Sequence, residues 1–187
     1  VCSSDLGKTD GHLYLKDAAE KGAVAAVVRN DYDGPHFGIT LLYVADPLDT
    51  LQQLARDVLA QQHCKVTAIT GSVGKTTTKE FMYTILSGKY KTLRTPGNAN
   101  SQIGLPLALL NGLAGDEEIV ICEMGMTHPG NIQNLTRIAP PYLSIITGVE
   151  YVHACNFEGL AGIAEAKAEI LTHPSTAFAL VNSSVPN

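Results

Sequence analysis

Several large classes of protein are excluded by what this sequence lacks. It has no excess of positive charge: 13 Lys and Arg stand against 18 Asp and Glu, a formal net charge of −5. General nucleic-acid binding would need a basic footprint. No apolar run approaches the length of a membrane span, and no cleavable signal pattern opens the chain. Cys2, Cys64, Cys122 and Cys155 are scattered, with no CxxC. That spacing fits neither a zinc site nor a disulfide framework, so a reducing cytosol is the simpler reading. There is no internal repeat, no low-complexity tract and no initiator Met. The opening VCSSDL reads as a tail foreign to the fold, and Val185-Pro186-Asn187 follows directly on a strand-like run. The chain is therefore expected to be an internal piece of a longer protein.

What is present is ordinary for a soluble α/β protein: 187 residues, 45% hydrophobic and 17% charged, enough for one or two domains with a real core. The most informative stretch is Val66 to Lys79, VTAITGSVGKTTTK. A β-branched run stops at Gly71. Gly71 and Gly74 bracket Ser72 and Val73, and Lys75, Thr76 and Thr77 open a segment of helical spacing. Strand, Gly-rich turn and helix N-terminus together cradle a polyphosphate. Glycines let the backbone approach the anion, and successive N–H groups with the helix dipole face it. Lys75 adds a point charge, and Thr76 offers a hydroxyl to Mg²⁺. The longer P-loop pattern has a glycine where Ile69 stands, so only its second half is met. Phe81, Met82, Ile85 and Leu86 then recur at helical spacing, with Gly88 as a stop. The alternative is an ordinary βα turn with an exposed lysine.

The rest of the chain alternates. Asp10-Gly11-His12 is a turn signal. Leu13 to Lys21 predicts a helix capped by Gly22, and Ala23 to Val28 a strand buried on both faces. Ile39 to Val44 predicts another strand. Asp46 and Pro47 predict a helix start, with Leu48, Leu51, Leu54, Ala55 and Val58 as its apolar stripe. Further strands are predicted at Tyr90 to Thr95, Glu118 to Cys122, Leu143 to Thr147 and Ala177 to Val181. Helices are predicted at Leu105 to Leu113, Asn131 to Ile138 and Gly159 to Leu171. The fold class is α/β: a small N-terminal α/β unit over residues 7–62, then a P-loop-type unit over 63–187 with a mainly parallel sheet. Ligands of such sheets sit beyond the carboxyl ends of the strands.

Four features carry candidate chemistry. Glu123 ends an apolar strand, where an acid beside a P-loop serves the Mg²⁺ of a nucleotide; the alternative is a strand-end glutamate in solvent. His153 follows Leu143 to Thr147 and reads as a metal ligand, a phosphate contact or a satisfied loop histidine. Lys167 falls on the apolar stripe Leu160, Ile163, Ala164, Lys167, Ala168 and Leu171, with Glu165 and Glu169 off it. A buried lysine must lose its charge, find a partner or be modified, unless it snorkels from the stripe edge. Pro96 to Gln102 (PGNANSQ) is a dense set of amides: a turn cluster, or a polar floor for a peptide or sugar.

These motifs resemble the Mur ligase family, whose loop has the form TGxxGKT. PGNANSQIGLPLALL, EMGMTHPGNIQNL and GIAEAKAEIL resemble the MurF type most. The resemblance covers about residues 7 to 182 and implies an ATP-dependent amide ligase that adds D-alanyl-D-alanine to UDP-N-acetylmuramoyl-tripeptide through an acyl phosphate. It implies a cytoplasmic monomer of peptidoglycan synthesis, with ATP and two Mg²⁺ ions, and an absent C-terminal domain. It assigns Gly71, Ser72, Val73, Gly74, Lys75, Thr76 and Thr77 to ATP, and Lys75, Glu123, His153 and Lys167 to catalysis. Thr76, Glu123, His153 and Lys167, the last as a carbamate formed with CO₂, are the implied metal ligands. Asp10, Gly11, His12, Asn98, Asn100 and Ser101 are the implied substrate contacts. Two departures stand out: Ser101 where the family has a second asparagine, and an altered sequence around His153. Other readings are the ligase adding the third amino acid, a folylpolyglutamate synthase-like ligase, and a P-loop binding module without ligase chemistry.

Overall fold

A computed structural model describes residues 10–151 and 156–183. The chain divides into two compact units, Val1–Gln53 and Leu54–Asn187.

In the first unit, a single 3₁₀ turn at Gly11–Tyr14 leads into helix α1 (Leu15–Glu20). Gly22 follows at φ +90°, where only glycine is comfortable. Strands β1 (Ala25–Arg29) and β2 (Thr40–Val44) pair in parallel. The expectation of a strand buried on both faces is corrected here. Of β1, only Val28 is buried, packing with Leu15 and Ile39 in a small cluster. A strand is buried on both faces only where other elements cover both, so an apolar run is not by itself a central strand. Helix α2 (Pro47–Ala60) starts as predicted: Asp46 Oδ1 accepts from Leu48 N at 2.8 Å and Asp49 N at 3.2 Å. Its buried stripe is Leu51, Ala55 and Leu59, while Leu54 is 52% exposed, contrary to its predicted place inside.

The second unit is built on a five-stranded parallel sheet, in the order β4 (Thr92–Arg94), β5 (Ile119–Glu123), β3 (Lys65–Thr70), β6 (Leu143–Ile146), β7 (Phe178–Val181). Helix α3 (Lys75–Leu86) follows β3, and α4 (Gly104–Gly112), α5 (Asn131–Ile138) and α6 (Gly159–Ala168) follow in turn, α6 ending in a 3₁₀ turn at Glu169–Leu171. Helices cover both faces. Met82, Tyr83 and Leu86 of α3 pack on Ile69, Ile121 and Ile145. The other face carries Ala55 and Leu59 of α2 with Leu105, Leu109, Ile132, Leu135 and Ile163, against Val66, Ala68, Val120, Cys122 and Ile146. Period-two alternation sends neighbouring strand residues to opposite layers, which is why β3, β5 and β6 read as nearly unbroken apolar runs. The chain runs from β3 outward to β4 and then returns to place β5 beside β3, with β6 on the opposite side. The carboxyl ends of β5, β3 and β6 therefore lie side by side, at the point where such sheets open a crevice.

Candidate functional site

The loop after β3 takes its shape from β6 and the segment beyond it. Thr147 Oγ1 donates to Val73 O at 2.6 Å and lies 3.2 Å from Thr70 O. Ser72 N donates to Gly148 O at 2.8 Å, and the Ser72 hydroxyl donates to Glu150 O and accepts from Glu150 N, at 2.9 and 2.8 Å. Gly74 stands before α3 at φ +83°. Lys75 Nζ reaches back to Gly71 O at 2.7 Å, folded over the loop it follows. The result is a turn at a helix N-terminus with a lysine above it, an arrangement that binds anions through backbone N–H groups and dipole.

Glu123, at the end of the neighbouring strand, is 2% exposed, which sets aside the solvent reading. Both carboxylate oxygens are engaged. Thr76 Oγ1 donates to Oε2 and Asn100 Nδ2 to Oε1, each at 2.8 Å. The glutamate's own N–H donates to Thr95 Oγ1 at 3.2 Å. Asn100 is fixed in turn: its carbonyl accepts from Gly125 N at 2.8 Å. A Cβ at Gly125 would sit 3.0 Å from the Asn100 side chain, so the glycine after Met124 makes room for that asparagine. Carboxylate and hydroxyl are hard oxygen donors, the kind Mg²⁺ takes, and phosphate oxygens and water would complete its octahedron. No group of three His, Cys, Asp or Glu that could hold a metal occurs among the described residues. His153 lies outside them.

Lys167 is 3% exposed, on a buried stripe with Ile163, Ala166 and Ile170. It does not snorkel. Burial, with the positive charge of Lys75 as the second cause, lowers its pKa to about 8. A free lysine at neutral pH is almost wholly protonated; this one holds a useful fraction of neutral amine, the form that adds to an electrophile such as CO₂. The sign for stability follows from linkage. Between the folded value near 8 and the ordinary lysine value of 10.5 the unfolded chain binds more protons, so stability rises with pH across that window. Lys167→Met, in CO₂-free buffer, is expected to melt higher than the parent chain at pH 7, with the gap closing towards pH 10; paired thermal melts check this. Glu169, off the apolar stripe, has a role that periodicity does not show. Its carboxylate accepts from Gly130 N at 2.6 Å and Gln133 N at 3.0 Å, capping α5 from another element.

The most informative residue that sequence reasoning missed is Lys79. It is fully buried, and its Nζ donates to Thr95 O and Gly97 O, both at 2.8 Å. Two hydrogen bonds from a charged donor, worth about 1.5–3 kcal/mol each, offset a desolvation cost of several kcal/mol. The inner stripe of α3 is therefore Lys79, Met82, Tyr83 and Leu86, while the predicted Phe81 and Ile85 are 67% and 75% exposed. The signal was available, a lysine at i, i+3, i+4, i+7 with apolar residues, the same pattern that flags Lys167.

The remaining predicted contacts are local. Ser101 Oγ accepts from Gly104 N at 3.0 Å, and Asn98 is exposed with its carbonyl accepting from Asn100 N at 2.7 Å. In the first unit, His12 Nδ1 lies 2.6 Å from Asp10 Oδ1, and Nε2 accepts from Arg29 N at 3.2 Å. That pair of contacts fixes the Nδ1–H tautomer. The His12 ring stacks on Tyr32 at 4.7 Å. Hydrogen bonds from the His12 backbone and side chain hold the Asp10 carboxyl below its usual range. Gly11 is buried beneath this turn. Cys64 and Cys122 are free thiols, and burial pushes Cys122 up to about 12.

The chain is similar to known proteins over most of its length. The description "Mur ligase middle domain" matches residues 69–187. The UDP-N-acetylmuramoyl-tripeptide–D-alanyl-D-alanine ligase of Bacillus subtilis is 38% identical over 162 residues, 87% of this chain and 35% of that protein. Its counterpart in Rickettsia prowazekii is 37% identical over 184 residues, 95% of this chain and 39% of that protein. Among solved structures, MurF from Acinetobacter baumannii superposes with a TM-score of 0.86 at 35% identity, over 96% of this chain and 39% of that one. MurF ligase from Thermotoga maritima in complex with ADP does so with a TM-score of 0.79 at 35% identity, over 96% and 41%. The chain thus spans well under half the length of the curated relatives it matches. With the matched domain covering more than half of the chain, the chain belongs to the Mur ligase family.

Proposed function

We propose that the protein carrying this chain is an ATP-dependent amide ligase that joins D-alanyl-D-alanine to UDP-N-acetylmuramoyl-tripeptide in peptidoglycan precursor synthesis. The observation that carries this reading is the meeting of Thr76, Asn100 and the buried Glu123 carboxylate at the end of β5, directly beside the loop that follows β3. The names of the most similar relatives supply the substrates. The PGNANSQIG loop, whose Asn100 is bound to Glu123 and Gly125, argues against the ligase adding the third amino acid, and the N-terminal Asp10-Gly11-His12 unit argues against a folylpolyglutamate synthase-like enzyme.

In this reading, residues 71–77 cradle the ATP phosphates and Lys75 swings from Gly71 O onto the outer ones. Thr76, Glu123 and His153 would hold one Mg²⁺, and Lys167, as a carbamate, a second. When bound, the ions neutralise charge on the transferring phosphoryl group. The terminal carboxylate of the tripeptide attacks the γ-phosphorus, ADP leaves, and an acyl phosphate forms. The amine of D-alanyl-D-alanine then attacks the acyl carbon, phosphate leaves, and the amine loses a proton. Asn100 keeps the Glu123 carboxylate oriented through Oε1 while Oε2 faces the loop. Asp10, Gly11 and His12 shape the unit that receives the UDP-sugar, and Asn98, Asn100 and Ser101 face the muramoyl-peptide. In this reading the enzyme draws its nucleotide-sugar substrate and ATP from the cytoplasm and works as a monomer; no helix among the described residues is long and apolar enough to cross a membrane.

The test is phosphate release by the full-length protein. Release is expected only when ATP, UDP-muramoyl-tripeptide and D-alanyl-D-alanine are all present. Turnover with a folate and glutamate, or with ATP alone, would overturn the assignment.

A further inference from the structure

We propose that Lys79 is the positioning residue for Glu123, setting the direction of that carboxylate; this rests on the reading of Glu123 as the acid that serves the Mg²⁺ of the nucleotide. Lys79 Nζ lies 3.9 Å from Glu123 Oε2, the oxygen that accepts from Thr76 Oγ1. No other ion pair reaches Glu123 among the described residues. Glu80 is nearer to Lys79, at 3.6 Å, but it is half-exposed and already held by Arg94 Nε at 2.9 and 3.2 Å. The positive charge of Lys79 is thus the counter-charge of the buried carboxylate.

The second arm runs through the backbone. The carbonyls that Lys79 binds, Thr95 O and Gly97 O, bracket Pro96 at the start of the amide-rich loop. That loop returns to the site at Asn100, whose Nδ2 donates to the other oxygen, Oε1. Thr95 also accepts from Glu123 N through its hydroxyl. One side chain therefore acts on Oε2 by its field and on Oε1 by holding the loop that carries Asn100. A lysine kept only for stability would not need this. Buried ion pairs are commonly replaced by apolar residues without loss of stability, so the placement points to orientation.

The test is a double-mutant cycle in the full-length protein: parent, Lys79→Met, Glu123→Gln, and both together. The readouts are binding of a fluorescent ATP analogue across a Mg²⁺ titration, the same binding in excess chelator, and thermal melts. Lys79→Met is expected to raise the Mg²⁺ concentration for half-maximal binding roughly 10- to 100-fold, the range for residues that orient a metal ligand. Binding in chelator stays as in the parent. In the Glu123→Gln background Lys79→Met adds nothing, and Lys79→Arg, which keeps the charge, recovers part of the loss. Independent, additive effects of the two substitutions would overturn the proposal, as would an unchanged Mg²⁺ dependence in Lys79→Met. If Glu123→Gln itself leaves the Mg²⁺ dependence unchanged, the reading of Glu123 fails and the positioning role falls with it. If Lys79→Met does not melt cooperatively, the double variant decides. Removing the uncompensated carboxylate should restore a cooperative melt, and failure to do so overturns the pairing.

Discussion

Gly71→Ala is expected to abolish nucleotide binding and to lower stability in a single step. A Cβ at Gly71 would lie 2.0 Å from Thr147 Oγ1, and 3.1 and 3.2 Å from Gly148 N and O. The hydroxyl cannot swing away without cost, because it holds Val73 O at 2.6 Å. The backbone of residue 148 cannot retreat without breaking its hydrogen bond to Ser72 N. The loop must therefore lift off the segment that follows β6, and φ +154° at Gly71 adds backbone strain for any residue with a Cβ. Overpacking of this kind costs about 1–3 kcal/mol, and a displacement of about 1 Å in a binding loop lowers function roughly 100-fold. Gly74→Ala is the control. Its Cβ would meet Thr147 only at 3.6 Å, so it bears the backbone cost of φ +83° alone, about 1–2 kcal/mol. Calorimetric ATP titration with paired melts separates the two: affinity collapses in Gly71→Ala and survives in Gly74→Ala. Adding Thr147→Ala to Gly71→Ala should recover part of both losses. Parent-like affinity in Gly71→Ala would show that the loop's contact with the segment after β6 does not shape the anion site.

Lys167→Ala in the full-length protein is expected to lose ligase activity by roughly 100- to 1,000-fold, the usual cost of removing one group that stabilises transition-state charge. The lysine is buried, which lowers its pKa to about 8, so roughly a tenth of it is neutral amine at pH 7, the form that would add CO₂. Truncation leaves a space where that anion would stand. Acetate or formate is expected to enter it and restore part of the rate, with restoration rising with acid concentration. Lys167→Arg, always charged and unable to add CO₂, should stay inactive with or without acid. Unchanged turnover in Lys167→Ala would remove this residue from the site. Loss without rescue would leave it a structural lysine.

Much of this molecule is legible in one dimension because much of it is local. The Asp46 cap, the bounds Asn131–Ile138 of α5, and the strand–turn–helix at Val66 to Lys79 depend on neighbours in sequence, and the fold keeps them. The misses share a cause. In α3 the stripes 81-82-85-86 and 79-82-83-86 both have helical period, and periodicity cannot say which one faces the sheet. The choice fell to the stripe containing a lysine, because the carbonyls that satisfy it arrive from 16 and 18 residues away. Leu54 on α2 and the exposed faces of β1 and β2 repeat the point: an apolar residue is buried only where a second element covers it. Glu169 lies off the apolar stripe, and its carboxylate is held instead by the N–H groups of Gly130 and Gln133 at the start of α5, 39 and 36 residues away in sequence.

By itself the sequence determined the alternation of strand and helix, the anion-binding turn, the acid at the end of β5 and the oddity of Lys167, since each follows from hydrophobic period, glycine and capping chemistry within a few residues. Only the tertiary structure decided that Glu123 is clasped by Thr76 and Asn100, that Thr147 limits Gly71, and that Lys79 is buried beside the acid. Those pairs meet because β4, β5, β3 and β6 lie side by side in an order different from their order along the chain, bringing together hydrogen-bond partners separated by between 16 and 77 residues.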